Sequence, residues 1–433
     1  MKPVKVVLLG AGLRGQIYTE YANSHPERMQ VVAVAEPNEE RRRKILVRHG
    51  LDEKRGYADW KELLDAITEG GAELKNGAGR AAGSSNKLYA DAAIICTQDK
   101  MHYEPAMAAM GAGLHVLLEK PMSTYPEECI RMGNMAASSG KLFAICHVLR
   151  YTPFFSTLKQ LLQEGRIGNV VSIVHNENVG YWHQAHSFVR GNWRKASESS
   201  PMILAKSCHD LDILLWLAGA DCTKVSSFGS LSHFRKDEAP AGAPKRCLDG
   251  CPVADNCPYY APRLYLTSDT DWPTSAISDD PSYEARRRAL ETGPYGRCVY
   301  HCDNDVVDHQ VVNLEFEGGI TAAFTMSAFT NEIGRTIKIM GTRGEIRGSM
   351  EKDEIEITLF GSGRTETITL KSPGGHEGHG GGDEGLMRDF CRLVAGGSAE
   401  GARTGAYHSV QSHLMAFAAE RSRLEGRVVS MSE

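Results

Sequence analysis

Val4-Lys5-Val6-Val7-Leu8-Leu9-Gly10-Ala11-Gly12-Leu13-Arg14-Gly15 joins an apolar run to three glycines spaced Gly-x-Gly-x-x-Gly. A helical stretch follows through Tyr21, and a second apolar run, Met29 to Ala35, ends at Glu36. Three glycines alone would mean little in a chain with 44 of them. Here they follow a strand, open a helix and precede an acidic residue 21 positions after Gly15, which is the context of a dinucleotide-binding β-α-β unit. The chemistry explains the spacing. Gly10 makes a tight turn, Gly12 lets a pyrophosphate approach the backbone, and Gly15 lets the helix pack closely on its strand, with the phosphates at the helix N-terminus. Glu36 is placed to bind the ribose hydroxyls and to repel a 2′-phosphate, which favours NAD over NADP. Arg41 to Arg43, just beyond it, are the one feature that would help a 2′-phosphate.

Further strands are expected at Ala92 to Cys96, His115 to Leu118 and Leu142 to Cys146. They alternate with helices near Glu104 to Met110 and Pro126 to Ala137, the pattern of a doubly wound α/β Rossmann domain with a parallel sheet over residues 1–146. Glu69 to Asn86, rich in Gly, Ala, Ser and Asn, reads as a solvated loop. From Val170 the runs acquire period two (Val170 to Asn176, Asp308 to Glu315, Thr321 to Ala328, Ile355 to Phe360). This predicts a second α+β domain over 147–433 with a mainly antiparallel open sheet. A helix from Cys208 to Leu217 interrupts it, and residues 232–305, rich in Pro, Cys, Asp and Arg, read as an insertion with a poor core of its own.

At 433 residues the chain suits two domains. A formal charge of -5 gives no reason to expect nucleic acid or an anionic membrane as partner. The chain enters Val4 with no preceding basic segment and holds no apolar stretch of membrane-spanning length, so a cytoplasmic protein is expected. Six of its eleven cysteines are scattered, mostly in apolar runs. Cys247, Cys251, Cys257, Cys298 and Cys302 cluster in the insertion, two of them followed by proline. Cys247, Cys251 and Cys257 would supply three thiolates of a structural zinc, with Cys302 entered as the fourth and Cys298 as the other candidate; an iron–sulfur cluster, free thiols and disulfides are the alternatives.

Gly10 to Gly15, the run Cys96-Thr97-Gln98-Asp99 with His102, and Glu119-Lys120-Pro121 after an apolar strand resemble the Gfo/Idh/MocA oxidoreductases. So do Glu164 to Gly168, His209-Asp210-Leu211-Asp212 and His379 to Asp383, whereas the segment near 232–305 is foreign to the pattern. The resemblance implies an NAD(P)-dependent enzyme acting on sugars, polyols or their derivatives and assembling as a homodimer or homotetramer. It makes Lys120 the active-site lysine and His209 an acid/base. It places Leu13, Arg14, Thr97, His102 and Glu119 with the glycines, Glu36 and Lys120 around the cofactor. One departure is Ala205, where inositol-dehydrogenase-like members carry an aspartate; Lys206 stands beside it.

Oxidising a carbinol requires the hydroxyl proton to leave, so a base or a cation must lie beside that oxygen. Lys120 follows the end of a parallel strand, where open α/β sheets place ligands; the plainer reading is a surface lysine. Asp212, one turn after His209 on the same expected helix, would orient its imidazole, although a lone histidine near an apolar helix is more often structural. Tyr181, Trp182, His183, His186, Trp193 and Arg194 mix aromatic faces with long donors as sugar sites do, and His147, Arg150 and Lys206 join them as substrate-binding candidates. Ordinary packing is the competing account of this group. His376 and His379 read as part of a turn leading to a helix capped by Asp383, with Leu386, Met387, Phe390 and Leu393 as its buried stripe. Three functions stay open: a dehydrogenase, a glycoside hydrolase that oxidises C3 of a sugar transiently with NAD, and a non-catalytic dinucleotide sensor.

Overall fold

Every residue of Val4–Leu9 except Lys5 is buried, as a strand covered on both faces requires. In the computed structural model, which describes residues 2–75, 88–371, 379–396 and 401–433, this run is β1. It pairs in parallel with β2 (Met29–Ala35) on one side and β4 (Ala92–Ile95) on the other. With β3 (Gly56–Tyr57), β5 (His115–Leu118) and β6 (Phe143–Ile145) they form a six-stranded parallel sheet of order β3-β2-β1-β4-β5-β6. The order reverses between β1 and β4, and that is the crevice where doubly wound sheets take their ligands. All five expected strands form. Part of the expected loop is helix instead: residues 69–75 belong to Trp60–Lys75, and the rest of it, 76–86, lies outside the described residues.

The polypeptide divides into two compact units, and the first gathers segments from beyond residue 146. It comprises Met1–Gln163 together with Leu211–Leu217 and Leu370–Leu414. The reason is apolar burial: Leu386, Met387, Phe390 and Leu393 on the helix Gly382–Gly396 share one core with Val4, Val6 and Leu8 of β1. The stripe read from the sequence is therefore the face that joins this late helix to the first sheet.

The second unit comprises Glu164–Asp210, Ala218–Thr369 and Met415–Glu433. Its sheet contains β7 (Val170–Asn178), β8 (Cys222–Ser230), β9 (His309–Phe316), β10 (Thr321–Ser327), β11 (Gly334–Gly341), β12 (Gly344–Ser349), β13 (Glu354–Leu359), β14 (Thr365–Thr369) and β15 (Val429–Ser430). The order is β14-β13-β12-β11-β7-β10-β9-β8-β15, antiparallel except for the β7/β10 pair. Period two decides which face is covered: Val312, Leu314 and Phe316 on β9 and Ala322, Phe324 and Met326 on β10 are buried while their neighbours are not. The insertion has more core than its composition suggested. Phe234, Tyr259, Val299 and Tyr300 form one small apolar group with Ala185 and Val189, and Ala261, Tyr265 and Leu290 form another with Cys247. No helix among the described residues is long and apolar enough to cross a membrane.

Candidate active site

The glycine-rich loop has the geometry that its spacing demands. Gly10 sits at φ +92°, and a Cβ there would lie 2.5 Å from the Cys96 carbonyl oxygen. A Cβ on Gly15 would lie 2.3 Å from the Gly10 oxygen, so the helix Leu13–Ser24 rests directly on the loop. Gly12 has open space on its Cβ side, where a phosphate needs it. Glu36, at the end of β2, accepts a hydrogen bond from the Ala11 N–H (2.7 Å) with one oxygen and from the Asn38 N–H (3.0 Å) with the other. The carboxylate thus pins the loop and keeps further lone pairs for a ribose. Arg42, which could have served a 2′-phosphate, instead donates to the Glu36 carbonyl at 2.6 Å.

Of the other cofactor candidates, Leu13 is half exposed at the first turn of the helix, and Arg14 is committed to the protein. Arg14 pairs with Glu119 (Nε–Oε1, 2.7 Å) and with Asp383 (Nη2–Oδ1, 2.5 Å), and it touches Tyr18, which also donates to Glu119 (2.8 Å). Burial pushes both carboxyls up, but their partners outweigh it. Arg14 and Lys120 hold Glu119 below the usual carboxylate range, and the hydrogen bond from His379 together with Arg14 brings Asp383 to about 2. Asp383 is therefore an ion-pair partner rather than the helix cap that its position suggested. His376 lies outside the described residues.

Lys120 stands two residues beyond β5, and the loop that carries it is held at three points, the Lys120 N–H, the Pro121 carbonyl and the Met122 N–H. The Lys120 N–H donates to Glu119 Oε2 (2.7 Å). His102 places its ring nitrogens 2.6 Å from the Pro121 oxygen and 3.0 Å from the Thr97 oxygen, so this predicted cofactor contact is a brace between two loops. Thr97 itself donates to the Met101 carbonyl. His413, which the sequence did not single out, accepts from the Met122 N–H through Nε2 (2.9 Å) and donates through Nδ1 to the Ser409 carbonyl (2.6 Å). No motif announces a histidine 291 positions from its partner.

That pair of bonds fixes His413 as the neutral tautomer, because a proton on Nε2 would oppose the Met122 N–H. Burial, and then the nearby His147 ring, lower its pKa to about 3. An unfolded histidine takes up its proton near pH 6.5. Between these values the unfolded chain binds the extra proton, so stability present above pH 6.5 is lost as the pH falls towards 3. Urea unfolding at pH 7 and pH 5 is expected to show a decline to which His413 contributes about 1.4 kcal/mol per pH unit. His413→Gln, which keeps a donor and an acceptor, should flatten that slope; an unchanged slope would contradict the assignment.

The substrate candidates divide. Within the first unit, His147 and Arg150 are 0% and 1% exposed. Arg150 grips Asp212 with two bonds (Nε–Oδ2 and Nη2–Oδ1, both 2.7 Å) and donates to the Arg403 carbonyl (2.6 Å). His147 and Arg150 are thus buried in this unit, and both Asp212 oxygens accept from Arg150. Within the second unit, His209 is 5% exposed on the helix Cys208–Ala218. Next to it Asp210 binds His175 (2.8 Å) and Arg335 (2.8 Å), Arg335 binds Glu177 (2.7 Å), and Glu177 binds Lys206 (3.0 Å). This buried network was not legible in the sequence, apart from Lys206. Burial pushes the Asp210 carboxyl up, but Arg335 and His175 outweigh it and hold it ionised.

Tyr181–Gln184 is a short helix that continues as a π-helical turn, Ala185–Arg190. His186 is buried, bonded to the Tyr265 hydroxyl (2.9 Å) and stacked on Tyr295, and burial followed by Arg190 lowers its pKa to about 4. Arg194 pairs with Asp303 and Glu198, and Trp193 packs against Phe188. Packing thus accounts for these three and for Tyr181, which meets Tyr259. Trp182 and His183, both partly exposed and gathered on Trp272, keep an aromatic face of the kind that suits a sugar. The expected zinc set does not assemble. Cys302 turns its thiol to the Cys298 carbonyl (3.3 Å), and among the described residues no three His, Cys, Asp or Glu are gathered so as to hold a metal ion.

Comparison with known proteins agrees with this geometry. A family model described as "Oxidoreductase family, NAD-binding Rossmann fold" matches residues 4–147, and its companion, "Oxidoreductase family, C-terminal alpha/beta domain", matches residues 159–431. A Bacillus subtilis protein named as an oxidoreductase, YteT, is 26% identical over 69% of this chain and 72% of its own length. An inositol 2-dehydrogenase of Saccharopolyspora erythraea is 31% identical over 32% of this chain, and a 2,7-anhydro-N-acetylneuraminate hydratase of Escherichia coli is 29% identical over 34%. These two matches span only 38% and 39% of the relatives' lengths. Among solved structures, a levoglucosan dehydrogenase in complex with NADH superposes with a TM-score of 0.70 at 17% identity over 99% of both chains.

Proposed function

Because the chain belongs to the Gfo/Idh/MocA oxidoreductase family, we propose that it is an NAD-dependent oxidoreductase acting on a hydroxyl of a sugar, polyol or glycoside. The observation that carries this reading is the loop Gly10–Gly15 pinned by Glu36, with the braced Lys120 just past the end of β5, two strands along the same parallel sheet. Bound at that loop, the nicotinamide would accept a hydride. Lys120 would polarise the alcohol oxygen and His209 would take its proton, while Trp182 and His183 are candidates for contact with the sugar. Relatives named as inositol dehydrogenase support the substrate class, and the relative named as a hydratase favours keeping a redox-neutral variant in view. In that variant, oxidation at C3 of a glycoside would acidify the C2 hydrogen, and loss of the C1 substituent, addition of water and return of the hydride would follow. Exchange of the C2 hydrogen for solvent deuterium, with NAD used catalytically, distinguishes it. Self-association is part of the proposal, and β8 and β9 offer a surface for it in the exposed pair Phe228 and Val311.

Calorimetry on the cofactor-free protein tests the preference for NAD. Hydrogen bonds to a charged group contribute about 1.5–3 kcal/mol, so Glu36→Ala is expected to weaken NAD about 10- to 100-fold and to narrow the gap to NADP. Equal or tighter binding of NADP by the unaltered protein would overturn the assignment.

A further inference from the structure

Within the second unit, four cysteine side chains line one cavity: Cys247, Cys251, Cys257 and Cys298. Backbone pairing brings them there. The Cys247 N–H donates to the Gly296 carbonyl (3.0 Å) and the Cys298 N–H to the Lys245 carbonyl (2.9 Å), so two distant segments run side by side with these two thiols on one space. The turn that follows closes through Ala254 N–H to Cys251 O (3.3 Å) and Cys257 N–H to Val253 O (2.9 Å), which returns Cys257 to the same wall. None of the four is in a disulfide. The rest of the lining is mostly apolar, including Val253, Val299 and Tyr300.

Arg190 enters this cavity, 1% exposed. It donates to the Arg297 and Tyr259 carbonyls (2.8 and 2.6 Å), and its Nη2 lies 3.7 Å from Cys247 Sγ. Its Nη1 is buried without a hydrogen-bond partner, and its described contacts are to carbonyl oxygens and a thiol, none to a carboxylate. A buried guanidinium without an anion is costly. Four neutral thiols would leave that cost standing, whereas thiolates bound to a metal centre would supply the missing negative charge.

The kind of centre follows from four thiols that line one cavity without being grouped around a single ion. Zinc with bonds of about 2.3 Å draws four sulfurs to within about 4 Å of one another, and no three ligands among the described residues are gathered to hold one ion. An iron–sulfur core is larger and holds its cysteines further apart. The cavity is about 310 Å³ when its share of open solvent is included. Metal–sulfur bonds are shorter than van der Waals contacts, so a ligated core needs less open room than a free molecule of its size.

We propose that Cys247, Cys251, Cys257 and Cys298 ligate an iron–sulfur cluster, with Arg190 donating to its sulfurs and Cys302 outside the ligand set. The cluster would pin the insertion to the segment that ends at Arg190, and so would steady Trp182 and His183 on that segment. The proposal is independent of the assigned reaction. The test is the full chain purified without oxygen, with iron, acid-labile sulfide and zinc measured beside the visible spectrum. Equal amounts of iron and sulfide, about two to four of each per chain, with broad visible absorption, are expected. Cys302→Ser should keep them and Cys298→Ser should lose them. Zinc in place of iron, or metal-free protein whose thiols all react with a thiol reagent after iron and sulfide have been supplied, would overturn the cluster. Loss of iron from Cys302→Ser with retention in Cys298→Ser would overturn the ligand set.

Discussion

Lys120→Ala is expected to lower kcat by about 10²- to 10⁴-fold, the range that a positioned proton-handling group contributes. The loss should fall on turnover more than on folding. The contacts that shape the loop are made by the backbone of Lys120, Pro121 and Met122 with Glu119, His102 and His413, and truncating one side chain leaves those groups in place. Steady-state kinetics beside a thermal melt separates the two effects. His209→Ala should lower kcat as well. Full turnover in both variants would refute the shared chemistry, and an unfolded Lys120→Ala protein would show the lysine to be structural.

The second large effect is one of stability. Asp212 and Arg150 are 1% exposed and joined by two 2.7 Å bonds. Removing one member of a buried ion pair strands the other charge, a loss of about 3–5 kcal/mol. Asp212→Ala is therefore expected to unfold at much lower urea, whereas replacing both residues by apolar ones of similar size should recover a good part of the loss. If Asp212→Ala instead kept its stability and lost turnover, the carboxylate would belong to His209 after all.

That pair also shows where sequence reading stops. Spacing along a helix correctly put Asp212 one turn beyond His209, yet periodicity says which residues share a face and nothing about which distant side chain meets them; Arg150 lies 62 positions away. The glycine loop was legible for the opposite reason. Its constraints are local, since each glycine answers to backbone atoms within the same β-α-β unit or its neighbouring strand. Strands β8 and β14 passed unnoticed because Cys222–Ser230 alternates weakly and Thr365–Thr369 is nearly all exposed, leaving little apolar signal. His186 and Arg194 looked like sugar ligands because the residue types that bind sugars also pack and pair among themselves; Tyr265, Tyr295 and Asp303 claim them here. The cysteine group was visible as a cluster, but the thiol that completes the cavity is Cys298, which the spacing could not distinguish from Cys302.

The most direct measurement is a single-turnover experiment in which excess enzyme loaded with NAD is mixed in turn with hexoses, cyclitols and glycosides, while the near-ultraviolet absorbance of reduced nicotinamide is followed. The account predicts that at least one of them produces reduced nicotinamide on the enzyme, persistent for a dehydrogenase and transient for the redox-neutral variant, and that Lys120→Ala slows its appearance. A protein that binds no NAD by calorimetry, or one that binds it and never reduces it with any of these substrates, would contradict the central claim.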